Sequence, residues 1–236
     1  MTFLRQSAQH AKRTLQALLG RELLQRAQIQ CNKISLGNHR AGWRMCPNGL
    51  FPSSVVYSFG VGEDISFDLE LIGRFGVCVH AFDPTPRAIA WVAQQRLPGK
   101  FVFHCCGIAD FDGRARFLPP ENPAHVSHTL VQRETPWPAI ELPVRRLRSI
   151  MKNLGHQQIG LLKMDVEGAE YAVLIDLLAA RIFPKQLLVE FHHRWPEIGI
   201  AKTKRAISDL NAAGYRIFDV SPSGEEYGFL QLSKAN

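Results

Sequence analysis

From Val55 onward the chain alternates short apolar runs with segments of helical period, and few architectures accommodate that alternation. Val55–Phe59, Val77–Phe82, Phe101–Cys105, Ile159–Met164 and Leu187–Phe191 read as buried strands. Between and after them, Ile65–Ile72, Pro86–Gln95, Leu147–Leu154, Ala169–Leu178 and Lys202–Ala213 read as helices. Strands that are apolar on both faces and separated by helices imply βαβ units and a parallel sheet covered on each side. Two further runs, Tyr215–Val220 and Tyr227–Leu232, flank "SPSGEE", a turn sequence that folds them into a hairpin. The expected fold is therefore α/β and doubly wound: a mostly parallel seven-stranded sheet with an antiparallel C-terminal hairpin strand.

At 236 residues the chain suits one domain with a short extension. The division expected is an N-terminal extension over 1–50 and the sheet domain over 51–236. Phe3, Leu4, Leu15, Leu18, Leu19, Leu23 and Leu24 recur among Arg, Lys and Gln, the pattern of a basic amphipathic helix. Docking on the core is favoured for it, with peripheral membrane contact as the alternative. Residues 37–54, with Gly37, Gly42, Pro47, Gly49 and Pro52, read as loop. The net charge of +7 permits anionic partners, but the basic residues are dispersed without interleaved aromatics, so nucleic acid is not favoured. Five cysteines without CxxC spacing fit a reducing compartment, and no window approaches the length of an apolar membrane span. A cytoplasmic protein is expected, its oligomeric state left open.

The turn after Val55–Phe59 reads "GVGED". In doubly wound sheets the first strand–helix turn carries glycines where backbone approaches a ligand, and an acid roughly 20 residues on holds a ribose hydroxyl. Gly60 and Gly62 occupy that turn, and Asp83, followed by Pro84, lies 23 positions after Gly60. An adenosine-containing ligand is implied. A dinucleotide fingerprint would need a third glycine where Ile65 stands, and Glu63 and Asp64 would repel a pyrophosphate at the helix N-terminus. The same acids suit a phosphate-free ligand with a positive centre, as S-adenosylmethionine offers.

Downstream, "LLKMDVEGAEYAVL" (Leu161–Leu174), the following "LLVEFHH" and the preceding "LPVRRLRSIM" resemble the FkbM family of methyltransferases, class I enzymes with a Rossmann-like fold. The resemblance covers Val55 to about Leu232. It implies methyl transfer from S-adenosylmethionine, most often to a hydroxyl oxygen of a sugar or other natural-product acceptor. Ser58 and Asp64 stand where family members usually carry an acid and a glycine, and Asp64 is a candidate for the missing carboxylate. The resemblance also places Cys106, Gly107 and Ile108 beside the adenine. The cofactor set expected is thus Ser58, Gly60, Gly62, Asp64, Asp83, Pro84, Gly107 and Ile108.

Methyl transfer from a sulfonium needs alignment, exclusion of water and a group to take the acceptor's proton. Asp165, Glu167 and His192 are the candidate catalytic residues, at the carboxyl ends of the fourth and fifth strands. Helix capping is the competing role for the two acids. Glu190, His128 and Trp137 are candidate acceptor contacts, with Asn122 and His125 more loosely in the Pro-rich stretch 119–140. "CCGIADFDGRARF" reads as a short hairpin turning at Asp112-Gly113. A divalent metal held by Asp165, Glu167 and one of His192 and His193 is possible but not favoured, because no dense ligand spacing accompanies them. Three alternatives remain: a non-catalytic module of the same fold, a nucleic-acid methyltransferase, and an NAD-dependent oxidoreductase.

Overall fold

The computed structural model describes residues 13–18, 20, 22–39, 41–119, 128–131 and 137–232. Its strands are β1 (Ile34–Leu36), β2 (Trp43–Met45), β3 (Val55–Phe59), β4 (Cys78–Phe82), β5 (Phe101–His104), β6 (Gly107–Ile108), β7 (Gly113–Phe117), β8 (Ile140–Arg145), β9 (Leu161–Met164), β10 (Gln186–Glu190), β11 (Tyr215–Val220) and β12 (Glu226–Gln231). The helices are α1 (Ser66–Phe75), α2 (Pro86–Val92), α3 (Leu147–Leu154), α4 (Glu170–Ala179) and α5 (Gly199–Ala212). All seven predicted strands and the five helices predicted from Ile65 onward are present, displaced by a few residues at some ends.

The main sheet has the order β11-β12-β10-β9-β3-β4-β5. β3, β4, β5, β9 and β10 are parallel, and β12 runs antiparallel to both β10 and β11, as the terminal hairpin predicted. After β3 the chain winds outward through β4 and β5, then returns to β3's other side as β9. That reversal is the switch point at which open α/β sheets leave a crevice beyond their strand ends.

Strand alternation sorts the core into two layers. Tyr57, Phe59, Leu162, Met164, Leu187 and Val189 pack on one face of the sheet, and Val56, Leu161 and Leu188 pack on the other. The period of two also assigns Ser58 and Lys163, which are paired in register, to the second face.

Three local readings need correction. Residues 37–54 are not only loop: β2 pairs antiparallel with β1, and Leu36, Trp43, Met45, Cys46 and Leu50 join the buried layer that contains Val56 and Leu161. Three-residue strands carry too little periodicity to register in a glycine-rich passage. The "CCGIADFDGRARF" segment is not a hairpin either, because β8 lies between β6 and β7, parallel to the first and antiparallel to the second. Asp112 accepts instead from the Arg146 N–H (2.9 Å) and the Ser149 hydroxyl (2.6 Å) at the start of α3. The predicted N-terminal helix is helical over 13–18 but not beyond residue 22, where Gln28 and Ile29 donate to the Ile217 carbonyl of β11. Leu23 is buried in the core while Leu15, Leu18 and Leu24 are exposed. Phe3, Leu4 and Leu19, like Asn122 and His125, lie outside the described residues.

Candidate active site

A cleft of about 270 Å³ opens at the switch point, close to the roughly 300 Å³ at which small-molecule sites begin. The predicted residues Gly60, Gly62, Asp64, Asp83, Pro84, Gly107, Ile108, His128, Asp165, Glu167 and Glu190 all line it. Ser58, His192 and Trp137 do not. Ser58 is buried within the sheet beneath the turn, and the Trp137 ring is half-exposed away from the lining.

The turn is built by close backbone approach. Gly60 has φ of 79° and donates to the Phe82 carbonyl (3.1 Å), and Asp165 donates its N–H to Phe59 (3.1 Å). A Cβ on Gly60 would lie 1.7 Å from the Asp165 carbonyl oxygen, so only glycine allows the first and fourth strand ends to meet. Gly62, with φ of 56°, donates to Asp83 Oδ2 at 2.9 Å. Asp83 Oδ1 accepts from the Thr85 N–H (2.9 Å) and hydroxyl (2.6 Å). The acid read as a ribose contact therefore also fastens the glycine turn to the start of α2, where Thr85 is the N-cap and Pro86 the first helical residue. Pro84, Gly107, Ile108 and Phe117 form an apolar wall beside it. A Cβ on Gly107 would press on Pro84 at 3.1 Å and narrow that wall.

Glu63 and Asp64 are less available to a ligand than the sequence suggested. Arg87 donates to both Glu63 oxygens, at 2.7 and 2.8 Å. Asp64 accepts from the Ser66 N–H (2.8 Å) and the Asn38 amide. Burial alone would raise its pKa, but those hydrogen bonds and the Lys163 charge outweigh it and hold the carboxyl below its usual range.

Lys163 was missed as a site residue. Its ammonium donates to the Gly60 carbonyl (2.9 Å), lies 5.6 Å from the centre of the Trp43 ring and lines the cleft while buried. The signal was present in "LLKMD", a single charge inside an otherwise apolar strand, because such a charge needs built partners. Asp68 of α1 faces the same layer, and burial pushes its carboxyl up to about 6 against the pull of Lys163.

At the far end the acids converge. Burial raises the Asp165 pKa, and the neighbouring Glu167 charge adds to the effect. Glu190 is pushed up to about 9 by burial and by the neighbouring Asp165. Glu167 adopts φ of 51°, a left-handed backbone uncommon for a non-glycine residue, and its carbonyl accepts from the Thr129 hydroxyl. His192 lies behind the lining, its Nε2 3.1 Å from Glu167 Oε2 and its Nδ1 3.2 Å from Glu170 Oε1. Burial disfavours charge on the ring, but these two carboxylates overcome it and push the pKa up to about 11. Those contacts favour the charged form of the ring and place it behind the cleft lining. His193 points the opposite way, to Glu22 (3.1 Å), so at most one of the pair reaches the cleft. Neither Asp165 nor Glu167 caps α4 by a side-chain hydrogen bond: its N-cap is Ala169, and Glu170 in its first turn accepts the Gly168 N–H of the preceding turn at 2.9 Å.

The sequence profile described as the methyltransferase FkbM domain matches residues 15–217, starting ahead of the boundary expected at residue 51. Among curated proteins, "Probable methyltransferase-like protein 24" of Rattus norvegicus is 28% identical over 173 residues, which is 69% of this chain and 42% of that protein. Its Homo sapiens counterpart is 27% identical over 174 residues, 69% of this chain and 41% of its own length. The chain thus spans about two fifths of the curated relatives it matches. Among solved structures, methyltransferase FkbM from Methylobacillus flagellatus KT aligns with a TM-score of 0.47 and 14% identity, over 76% of this chain and 44% of that one. Aeropyrum pernix fibrillarin, solved with natively bound S-adenosyl-L-methionine, aligns with a TM-score of 0.43 and 11% identity, over 88% and 84% of the two chains.

Proposed function

We propose that this chain, which belongs to the FkbM methyltransferase family, binds S-adenosylmethionine in the switch-point cleft and directs its methyl group to a hydroxyl oxygen of a small sugar-like or natural-product acceptor. The observation that carries this reading is the two-ended cleft. One end has a glycine turn, an acid and an apolar wall, and the other has carboxylates of raised proton affinity. When bound, S-adenosylmethionine supplies an electrophilic methyl group on a sulfonium.

The chain's residues supply the rest. Pro84, Gly107, Ile108 and Phe117 suit a purine, Asp83 the ribose side, and Asp64 a cationic centre near Gly60. Glu63 and Asp64 beside the α1 N-terminus disfavour a pyrophosphate, which argues against a dinucleotide. Burial between β9 and β10 lets the Asp165–Glu190 pair hold one proton between two carboxyl groups, as closely placed acids do. The ionised member of the pair is the base for the acceptor hydroxyl, and His192, charged and fixed by Glu167 and Glu170, offsets the surrounding negative charge.

Isothermal titration with S-adenosylmethionine, its demethylated product and NAD tests the reading. Binding of the first two without NAD is expected, weakened at least about tenfold in Asp83→Ala, since a lost charge-assisted contact is worth about 1.5–3 kcal/mol. Binding of NAD alone, or of none of the three, refutes it.

A further inference from the structure

The acidic end of the cleft carries a ligand set that methyl transfer by itself does not require. An Asp165 carboxylate oxygen, a Glu190 carboxylate oxygen and a ring nitrogen of His192 lie within 4.8 Å of one another. The geometry points to a divalent-cation site formed by these three side chains at the ends of β9 and β10.

Two features distinguish it from a chance gathering of acids. The first is the mounting of the imidazole. Glu170, fully buried, sets one carboxylate oxygen against both the His192 N–H (3.0 Å) and Nδ1 (3.2 Å), and its other oxygen accepts the Gly168 N–H (2.9 Å). A carboxylate on one ring nitrogen fixes the ring and leaves the other nitrogen for an ion, the arrangement in which histidine ligands are ordinarily held. That other nitrogen, Nε2, lies 3.1 Å from Oε2 of the cleft-lining Glu167, so an ion bound there takes the place of that contact. The second is the local charge. Asp165, Glu167, Glu170 and Glu190 meet around a single imidazole, and the nearby Lys163 ammonium is directed at the Phe59 and Gly60 carbonyls (3.4 and 2.9 Å).

The donor set selects the ion. Two carboxylate oxygens and one imidazole nitrogen, without thiolate, suit a hard to borderline ion such as Mn²⁺ or Mg²⁺. Glu167 is placed to be a fourth donor. An octahedral ion held this way keeps coordination positions for acceptor oxygens, and it would favour acceptors that present two neighbouring oxygens. This role for the ion rests on the proposed methyl transfer; binding of the ion does not.

The test uses protein stripped with a chelator, desalted and titrated with Mn²⁺, with free ion followed by electron paramagnetic resonance and heat by calorimetry. One saturable site is expected. Asp165→Asn, Glu190→Gln and His192→Gln should each weaken it at least about tenfold, and Glu170→Gln, a positioning substitution, by about 10–100-fold. Asp209→Asn on the exposed face of α5 should leave it unchanged. Each variant's fold is checked by circular dichroism, so that failure of one to fold leaves the others to decide. The absence of a saturable site, or a site indifferent to all three ligand substitutions, overturns the inference. S-adenosylmethionine titrated in chelator separates the two readings: if it binds while Mn²⁺ does not, only the ion site fails, and the converse removes only the proposed function.

Discussion

Gly60→Ala provides a sharp test of how the cleft is built, because its cost divides into two parts that a second glycine can separate. Gly155, at the end of α3, has φ of 72° against 79° for Gly60, and a Cβ there would have nothing within 4 Å. Gly155→Ala therefore costs only the left-handed backbone, about 1–2 kcal/mol. In a chain of this size 1 kcal/mol lowers Tm by about 2–4 °C, so a fall of about 2–8 °C is expected. Gly60→Ala bears the same backbone cost and also places the new carbon 1.7 Å from Asp165 O and 2.8 Å from Asp165 C. Both neighbours are main chain, so β3 and β9 must part at their carboxyl ends. That strains the Asp165 N–H to Phe59 bond (3.1 Å) and the Lys163 bond to the Gly60 carbonyl (2.9 Å). Losing two such bonds adds about 2–4 kcal/mol, one of them being charged, and the total reaches at least about 3–6 kcal/mol, or about 6–24 °C. Calorimetric melts of both variants, with S-adenosylmethionine titrations at a temperature where each is folded, measure the difference. A Gly60→Ala melt no lower than that of Gly155→Ala would refute the close-approach argument.

Two further predictions concern the buried charges around the turn. Asp68 has its folded pKa raised from 3.8 to about 6, so its contribution to stability is intact below about 3.8 and is lost as pH rises through about 6. Asp68→Asn should then raise Tm at pH 7, by up to about 3 kcal/mol equivalent, with the gain vanishing by pH 3.5; a gain independent of pH, or no gain, contradicts the assignment. Lys163→Met removes the cation that Asp68 and Asp165 share and should destabilise the chain by about 3–5 kcal/mol at pH 7. Adding Asp68→Asn should recover part of that loss in a double-mutant cycle on melts, and strict additivity would mean that the two charges do not interact.

The sheet was legible in the sequence because a strand buried on both faces must be apolar along its length. "VVYSF" and "LLVE" admit no other period, and the helices between them settle the parallel crossovers. The glycine turn was legible for a related reason, since backbone packed on backbone leaves no room for a side chain and only glycine records that fact in sequence. The β1–β2 cover, the insertion of β8 between β6 and β7, and the non-helical course of the chain from residue 22 were not legible. Each rests on pairing between distant segments, and short segments with no strong period carry no mark of their partners. Trp43 offered no local sign that it would stand over Lys163, and nothing near Arg87 indicated that it would occupy Glu63.

The division is sharpest at the acidic end of the cleft. The sequence by itself placed Asp165, Glu167, Glu190 and His192 at the carboxyl ends of two strands, and the pairing of β9 with β10 brought those ends together. Only the tertiary structure decided what each would do. Glu170, read from the sequence merely as part of a motif, takes the imidazole's second nitrogen, and together with Glu167 it fixes His192 and favours the ring's charged form. Proton affinity is set by burial and by the distance to other charges, and those are properties of the packed chain that no stretch of residues carries alone.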